Sequence, residues 1–288
     1  MSANDPSRPL LPAIVAAGAV IIVGFWAVTK WLTEELPFEL AERQPESERE
    51  AATAIMPAVD LRGRFERGEG VPSAITSAWP RFRGPMADGI SREPVPLADS
   101  WPPSGPPVLW QIEVGDGHAG PAVRHGRVYL LDYDEQRRED ALRCLSLDDG
   151  RELWRRAYAV EIKRNHGISR TVPAVSERVV VSIGPRCHVL CVDAFSGEFL
   201  WGLDLVREWG TKEPLWYTAQ CPLMDGETVV LAPAGRALML GVDAATGRIL
   251  WETPNEDGWA MSHASVVPME WEGRRMYVYP ALGGLVGV

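Results

Sequence analysis

The chain has 288 residues, of which 46% are hydrophobic and 24% are charged, and its formal net charge is −10. This composition is typical of a globular protein and excludes a disordered or collagen-like chain. The acidic balance argues against a nucleic-acid-binding surface, which needs basic patches to replace the counterions of the phosphates. Four Cys in a chain of this length exclude a disulfide scaffold, and no two of them are adjacent.

An uncharged apolar run follows a short N-terminal tail at 1–8. Residues 9–29 carry no charge, and 21 residues of helix would extend about 31 Å, enough to cross a hydrocarbon core of about 30 Å. Trp26 and Trp31 stand where an aromatic belt is expected. The sequence therefore predicts a single-pass membrane anchor at 9–32. The alternative is a cleaved signal peptide, whose apolar core is shorter, about 7–15 residues, and ends in small residues.

A stretch rich in glutamate follows at 33–78. Such acidic residues predict a solvated linker that separates a folded domain from the bilayer. Within it, residues 39–55 permit a short helix, and residues 62–70 are predicted to form a loop. Membrane orientation does not follow from charge, because Lys and Arg are more frequent after the apolar run than before it.

An internal repeat is the main signal of the remaining chain. Three segments align without gaps: CLSLDDGRELW at 144–154, CVDAFSGEFLW at 191–201 and GVDAATGRILW at 241–251. Each follows a small–Pro–apolar run, a turn and a β-branched run, and a further copy begins at 264. Four short strands at a period of about 40–50 residues predict an all-β propeller of four-stranded antiparallel blades, with about four blades present.

Asp, Gly and Trp recur in register within these segments. The Asp can accept backbone N–H groups of the turn that follows it, and the Gly suits a left-handed turn conformation. Ser146 replaces the Asp in the first copy, where Asp148 or Asp149 is expected to take over. The Trp is large and flat and is expected to stack on the turn of the neighbouring blade. The predicted docking residues are Gly150, Trp154, Asp193, Gly197, Trp201, Asp243, Gly247, Trp251 and Trp110.

The repeat resembles the tryptophan-docking motif of the pyrroloquinoline-quinone (PQQ)-like propellers, A-x-D-x-x-x-G-K-x-x-W. The family's Lys is replaced by Arg151, Glu198 and Arg248, and its leading Ala by Cys144, Cys191 and Gly241. The opening WPRFRGPMADGIS at 79–91 also looks like the beginning of bacterial proteins related to the outer-membrane assembly factor BamB. The resemblance covers residues 79–288 and implies a propeller, whereas function does not follow from fold.

Two blades look partial. VLWQIEV at 108–114 has the pattern of a fourth strand, with Trp110 at the docking position and no first three strands before it. The last copy stops one residue before the Asp that the repeat leads one to expect. We therefore expect that residue 288 is not a natural domain end. The alternative is a closed ring of four blades, in which residues 108–114 supply the outer strand of the last blade.

The resemblance also raises the possibility of quinoprotein chemistry. Quinoprotein dehydrogenases of this repeat class would need a vicinal Cys pair over the cofactor, ligands for Ca²⁺ and a catalytic Asp. The sequence has no Cys–Cys pair and no regular acidic loop. No cofactor and no catalytic residue are therefore predicted, and PQQ with Ca²⁺ remains the alternative. Cys144 and Cys191 are expected to be small buried hydrophobes.

Three of the five His lie just before a predicted innermost strand, in GDGHAGP, KRNHGISRTVP and WAMSHAS. Innermost strands line the centre of a propeller, so these side chains could surround the mouth of a funnel, as a ligand or metal site. The alternative is that they are loop residues that bond to the next blade. The candidates at the funnel mouth are His118, His166, Arg170 and His263.

These observations favour a membrane-anchored, non-catalytic propeller that faces the periplasm or the cell exterior and binds protein partners. The blade-docking repeat is intact, whereas the cofactor clamp is missing. One alternative is a fragment of a PQQ-dependent oxidoreductase. Another is a sensor or ligand-binding propeller that uses the mouth of the funnel.

Overall fold

The protein divides into two compact units, Met1–Pro57 and Ala58–Val288. The computed structural model describes residues 10–33, 58–163 and 167–288. The first unit contains helix α1, Leu10–Thr33, which contains residues 10–29 of the predicted apolar run. Most of the predicted linker, residues 34–57, lies outside the described residues.

The membrane-anchor prediction for residues 9–32 is not supported, although a helix does form there. A span needs about 20 predominantly apolar residues in one helix to cover about 30 Å of hydrocarbon. In the described parts of the chain, no helix meets the requirements of length and apolarity together.

The second unit consists of short strands and a one-turn helix, α2, Leu205–Trp209. Its strands are β1 Arg64–Arg67, β2 Ala122–Arg124, β3 Arg127–Asp134, β4 Glu139–Ser146, β5 Glu152–Ala159, β6 Ala174–Val175, β7 Val179–Ile183, β8 His188–Asp193, β9 Phe199–Asp204, β10 Leu223–Asp225, β11 Thr228–Leu231, β12 Ala237–Asp243, β13 Ile249–Pro254, β14 Val267–Trp271, β15 Arg274–Ala281 and β16 Gly284–Gly287.

In the described part of the chain these strands form four antiparallel sheets, which we call blades 1 to 4. Blade 1 has the order β1-β5-β4-β3-β2, blade 2 is β6 to β9, blade 3 is β10 to β13, and blade 4 is β14 to β16. Consecutive strands are paired by tight turns, as expected for the meander of a propeller blade. The prediction of an all-β fold made of propeller blades is confirmed.

The middle strands of the blades are buried on both faces, which explains their continuous apolar sequences. Every residue of β7 (VVVSI) is buried, and in β12 only the last residue is partly exposed. A strand with one solvated face would alternate between apolar and polar residues. The core is therefore the layer of side chains between neighbouring blades, and one cluster runs from Val181 of blade 2 through Leu231 of blade 3 to Tyr279 of blade 4.

A β-bulge recurs immediately before each repeat Trp. The residue opposite the Trp is Cys144, Cys191 or Gly241, and the register shifts just after it. A Cβ on Gly241 would come within 2.3 Å of two atoms of the Trp251 indole. Position 241 therefore requires glycine while Trp251 keeps this position, whereas Cys144 and Cys191 face Trp154 and Trp201 at the equivalent positions.

Two segments differ from their predicted structures. Residues 64–67 lie in the predicted loop at 62–70 but form β1, which adds a fifth strand to the outer edge of blade 1 beside β5. Conversely, residues 108–114 do not form a strand. The alternative of a ring closed by these residues is also wrong, because residues 108–114 form no strand beside β16 and Trp110 donates to Leu147 O of blade 1 instead.

Candidate functional site

Each turn glycine of the repeat lies under a Trp from the preceding part of the chain. A Cβ on Gly150 would come 2.6 Å from Trp110, one on Gly197 2.6 Å from Trp154, and one on Gly247 2.7 Å from Trp201. Such distances are far below van der Waals contact, so only glycine allows the indole to lie flat on the turn. All three glycines also have φ between 70° and 75°, a conformation that residues with a Cβ rarely adopt.

The Asp of the repeat organises the same turn. Asp193 accepts the backbone N–H groups of Phe195 and Ser196 at 2.9 and 2.7 Å, and Asp243 accepts that of Thr246 at 2.9 Å. In blade 1, Ser146 Oγ accepts the N–H of Asp148, while Asp149 accepts that of Arg151. A shorter side chain and a shifted carboxylate thus share the role that one Asp has in blades 2 and 3.

The indole N–H of the docking Trp donates to a fixed carbonyl of the next blade. Trp110 donates to Leu147 O and Trp201 to Ala244 O, both at 2.9 Å. At the interface between blades 1 and 2 the equivalent carbonyl is Ala194 O, and there Tyr129 OH donates to it at 3.1 Å. Trp154 Nε1 is consequently buried with no hydrogen-bond partner among the described residues.

Tyr129→Phe is expected to cost less than about 1 kcal/mol, because Trp154 Nε1 can then bond to the vacated carbonyl of Ala194. The matched control is Tyr133→Phe. Tyr133 is also buried and donates to Val160 O at 3.0 Å. Its loss leaves that carbonyl unpaired and is expected to cost about 1–3 kcal/mol. Chemical denaturation measures both, and equal losses would contradict the exchange of donors.

Trp251 has a different neighbour. Its indole is half-buried and stacks on Tyr277 of blade 4, with ring centroids 5.9 Å apart and planes 15° apart. This places the fourth repeat Trp at the interface between blades 3 and 4.

A segment at 79–81, which we call the hub strap, crosses the innermost strands of three blades. Trp79 and Val123 exchange both backbone hydrogen bonds, at 2.8 and 2.9 Å. Pro80 O then accepts the N–H of Val175, and the guanidinium of Arg81 donates to Met224 O. Val123, Val175 and Met224 hold equivalent positions in β2, β6 and β10, so the strap lies along the hub side of the blades.

The four segments that lead into the innermost strands define one end of the blades, which we call the funnel face. In these segments, at 117–121, 169–173, 218–222 and 262–266, the candidates His118, Arg170 and His263 hold equivalent positions. The flanking residues Ser169 and Thr171 are buried, whereas Arg170 between them is partly exposed. Because successive side chains of extended chain point to opposite sides, the candidates point away from the blade interior.

The structure brings two of these candidates together. A Cβ on Gly167 would come 3.0 Å from His118 Nε2, and Arg170 Nε donates to Gly167 O at 2.7 Å. The backbone N–H of His118 also donates to Ser169 O at 2.7 Å. His263 instead lies beside Trp216, with ring centroids 6.0 Å apart. His166 falls outside the described residues.

A buried polar chain that sequence reasoning missed crosses the interface between blades 1 and 2. Tyr158 OH donates to Asp140 Oδ2 at 2.7 Å, and its ring lies edge-on to His188 at 5.4 Å. His188 Nε2 lies 3.8 Å from Asp204 Oδ2. A Cβ on Gly184 of blade 2 would come 2.1 Å from Tyr158 OH, so this turn can only pack here with glycine.

Burial shifts the pKa values of two members of this polar chain, Asp140 and His188, in opposite directions. Desolvation raises the pKa of Asp140 to about 7, against the lowering effect of the Tyr158 hydroxyl. Desolvation lowers the pKa of His188 to about 4, although Asp204 favours its charged form. Asp140 Oδ1 and His188 Nδ1 have no hydrogen-bond partner among the described residues.

None of the four thiols is activated as a nucleophile. All are buried, and desolvation raises the pKa of Cys144 and of Cys187 to about 12. The same effect raises the pKa values of Cys191 and Cys221. Since the thiolate is the nucleophile and the metal ligand, these side chains act as small apolar residues.

Strand order, bulges and Trp–Gly contacts together define a β-propeller of the tryptophan-docking class. A sequence model of the family described as outer membrane protein assembly factor BamB matches residues 137–288, more than half of the chain. The chain therefore belongs to this family of PQQ-like propellers. A comparison with curated protein sequences gave no significant match.

Two solved structures illustrate the similarity. BamB from Moraxella catarrhalis is 18% identical, with 62% of this chain and 49% of that chain covered and a TM-score of 0.42. Quinohemoprotein alcohol dehydrogenase from Comamonas testosteroni is 16% identical, with 71% and 46% covered and a TM-score of 0.40. The chain spans about half the length of these structures.

Proposed function

We propose that the protein is a non-catalytic interaction scaffold whose funnel face binds a protein partner. The observation that carries this proposal is an exposed apolar pair directly before the funnel-face segment 218–222. Leu215 is 56% exposed and Trp216 is 45% exposed, beside the imidazole of His263. Aromatic side chains are enriched at the centres of protein interfaces, and loops on a rigid scaffold commonly carry binding residues.

A photocrosslinking amino acid at position 216 tests this proposal in the cell of origin. We expect a discrete adduct with another protein. The matched control places the same amino acid at Arg178, which is exposed in the turn at the opposite end of β6. Absence of an adduct at 216, or equal adducts at both positions, would contradict binding through the funnel face.

The described residues do not fit the PQQ–Ca²⁺ site of a quinoprotein. They contain no group of three or more His, Cys, Asp or Glu side chains able to hold a metal ion, and each Cys stands alone. We propose that the scaffold needs no cofactor. The protein mixed with PQQ and Ca²⁺ is expected to show no bound quinone absorbance after gel filtration. A stoichiometric quinone band would favour the oxidoreductase alternative.

We also propose that the propeller lies outside the cytoplasm, as expected for a scaffold of this family. A reporter that matures only outside the cytoplasm, fused after Val288, is expected to be active, whereas a reporter that fluoresces only in the cytoplasm is expected to be dark. The opposite pattern would overturn this location. Membrane attachment through residues 9–32 stays a separate prediction, which alkaline extraction of the membrane fraction tests.

A further inference from the structure

We propose that two copies of this chain exchange strands. Residues 108–114 of each copy, which we call the docking segment, add to β16 of the other copy as the fourth strand of blade 4. The exchange is reciprocal, so that two copies close one ring. Four blades from each copy give a total within the range of four to eight that propellers show. This surface is separate from the funnel face and does not depend on the proposed protein partner.

The docking segment already occupies the position of a fourth strand relative to blade 1. Trp110 lies on Gly150 and donates to Leu147 O at 2.9 Å. Trp201, from the fourth strand of blade 2, lies on Gly247 of blade 3 in the same way. The docking segment therefore stands where the last strand of a blade before blade 1 would stand, but it pairs with no strand of the described residues.

The Leu that precedes each repeat Trp measures the cover that the docking segment lacks. In the paired strands of blades 1 to 3, this side chain is 9% exposed at Leu153, 41% at Leu200 and 40% at Leu250. In the docking segment, Leu109 is 85% exposed and the adjacent Val108 is 76% exposed. The segment thus presents apolar surface that a neighbouring sheet would remove from water.

In each of blades 1 to 3, residues paired across the strands form a row that ends on the repeat Trp. In blade 1 this row is Ala122, Tyr129, Cys144 and Trp154. All four side chains are at most 2% exposed, because they pack against blade 2. A complete row is therefore the surface through which one blade contacts the next.

The row of blade 4 has no Trp among the described residues. It consists of Val267, Val278 and Gly287. The two Val are half-buried and Gly287 is exposed. A Cβ on Gly287 would have only the tip of Met276 near it, at 2.9 Å, whereas a Cβ on the equivalent Gly241 would come 2.2 Å from the indole of Trp251. An indole can therefore lie opposite Gly287, beside the free edge of β16.

The docking segment of a second copy supplies this indole in the correct register. Trp110 then lies opposite Gly287, and Gln111 lies opposite Val286, as in the equivalent pairs of blade 3. Because Trp110 is docked on blade 1 of its own chain, the added strand joins blade 4 of one copy to blade 1 of the other. Two such contacts related by a twofold axis close the ring and remove both free edges.

A pair of engineered cysteines tests the register. Directly opposed residues of antiparallel strands have Cα atoms about 4.5–5.5 Å apart, within reach of a disulfide. The double variant Gln111→Cys/Val286→Cys is expected to form a disulfide-linked dimer under mild oxidation, and the native thiols do not compete because they are buried. The control Gln111→Cys/Arg178→Cys should stay monomeric on a non-reducing gel. An internal disulfide in a monomer, or equal dimer yields from both variants, would overturn the exchange.

Sedimentation velocity of the full chain over a range of concentrations tests the assembly itself. We expect a dimer that Gly287→Glu weakens at least tenfold, because the charged side chain takes the place of the indole. Arg178→Glu, in an exposed turn of blade 2, is the control and should dimerise as wild type. Association through α1 would be unchanged in both variants and would contradict the proposal. A monomeric wild type, or polymers that lengthen with concentration, would also overturn it. The cysteine pair keeps the test decisive if Gly287→Glu does not fold.

Discussion

Trp201→Ala is expected to lower the free energy of unfolding by about 3–5 kcal/mol, the range for emptying a large aromatic site. The indole is 7% exposed, lies on Gly247 of the next blade and donates to Ala244 O. Its removal therefore destroys an interface between blades and leaves the strand β9 itself intact. Chemical denaturation followed by far-UV circular dichroism measures the loss.

The control for this change is Trp271→Ala. Trp271 is 62% exposed in β14, so its removal is expected to change the stability by less than about 0.5 kcal/mol.

A double-mutant cycle with Gly247→Ala separates docking from local effects. Gly247→Ala should be strongly destabilising when Trp201 is present, because its Cβ meets the indole. With Ala at position 201, only the strain of a positive φ remains, about 1 kcal/mol. Additive losses would contradict docking.

Asp140→Asn and His188→Gln are expected to give opposite pH dependences of stability. The pKa of Asp140 is raised to about 7, so stability from its protonated form is present at low pH and is lost as the pH rises from about 4 to about 7. The pKa of His188 is lowered to about 4, so its contribution is lost as the pH falls from about 6.5 to about 4. In the wild type the two slopes oppose each other over this window.

Each substitution is expected to reveal the slope of the remaining group. Asp140→Asn, which can still accept from Tyr158, should lose about 3 kcal/mol from this pair as the pH falls from 6.5 to 4, because His188 is then its titrating member. His188→Gln should lose about 3 kcal/mol from the pair as the pH rises from 4 to 7, because Asp140 is then its titrating member. Asp132, Arg186 and Asp204 also act on these groups but are common to all variants. Urea denaturation at half-unit pH steps measures the slopes, and parallel curves would contradict the assignment.

The blades could be predicted from the sequence because their determinants are local and repeated. Asp193, Gly197 and Trp201 stand within nine residues of one another, and the same spacing recurs in the next copy. Turn formation by the Asp and the positive φ of the Gly depend on the residues beside them, so the pattern contains the necessary information. The partner carbonyl of the Trp follows once neighbouring blades are stacked.

The remaining features depend on contacts between distant segments and have no period to reveal them. Nothing in RFER at 64–67 indicates that it pairs with β5, some ninety residues later. VLWQIEV at 108–114 has the alternation of a strand, but alternation alone does not provide a neighbouring strand to pair with. Within this segment, the indole of Trp110 donates to Leu147 O. The position of His118 and Arg170 next to the same residue, Gly167, likewise depends on segments about fifty residues apart in the sequence.

The hub strap is translated earlier than the residues that it contacts. Its residues are made before the innermost strand of any blade, yet the carbonyl that accepts from Arg81 belongs to Met224, 143 residues later. Contacts of such sequence separation form slowly, because long loops must close before the contact rewards them. A nascent chain therefore holds Trp79 to Arg81 without their full set of partners until blade 3 has been translated. The contacts of the hub strap are therefore completed only after the innermost strands of blades 1 to 3 have been made.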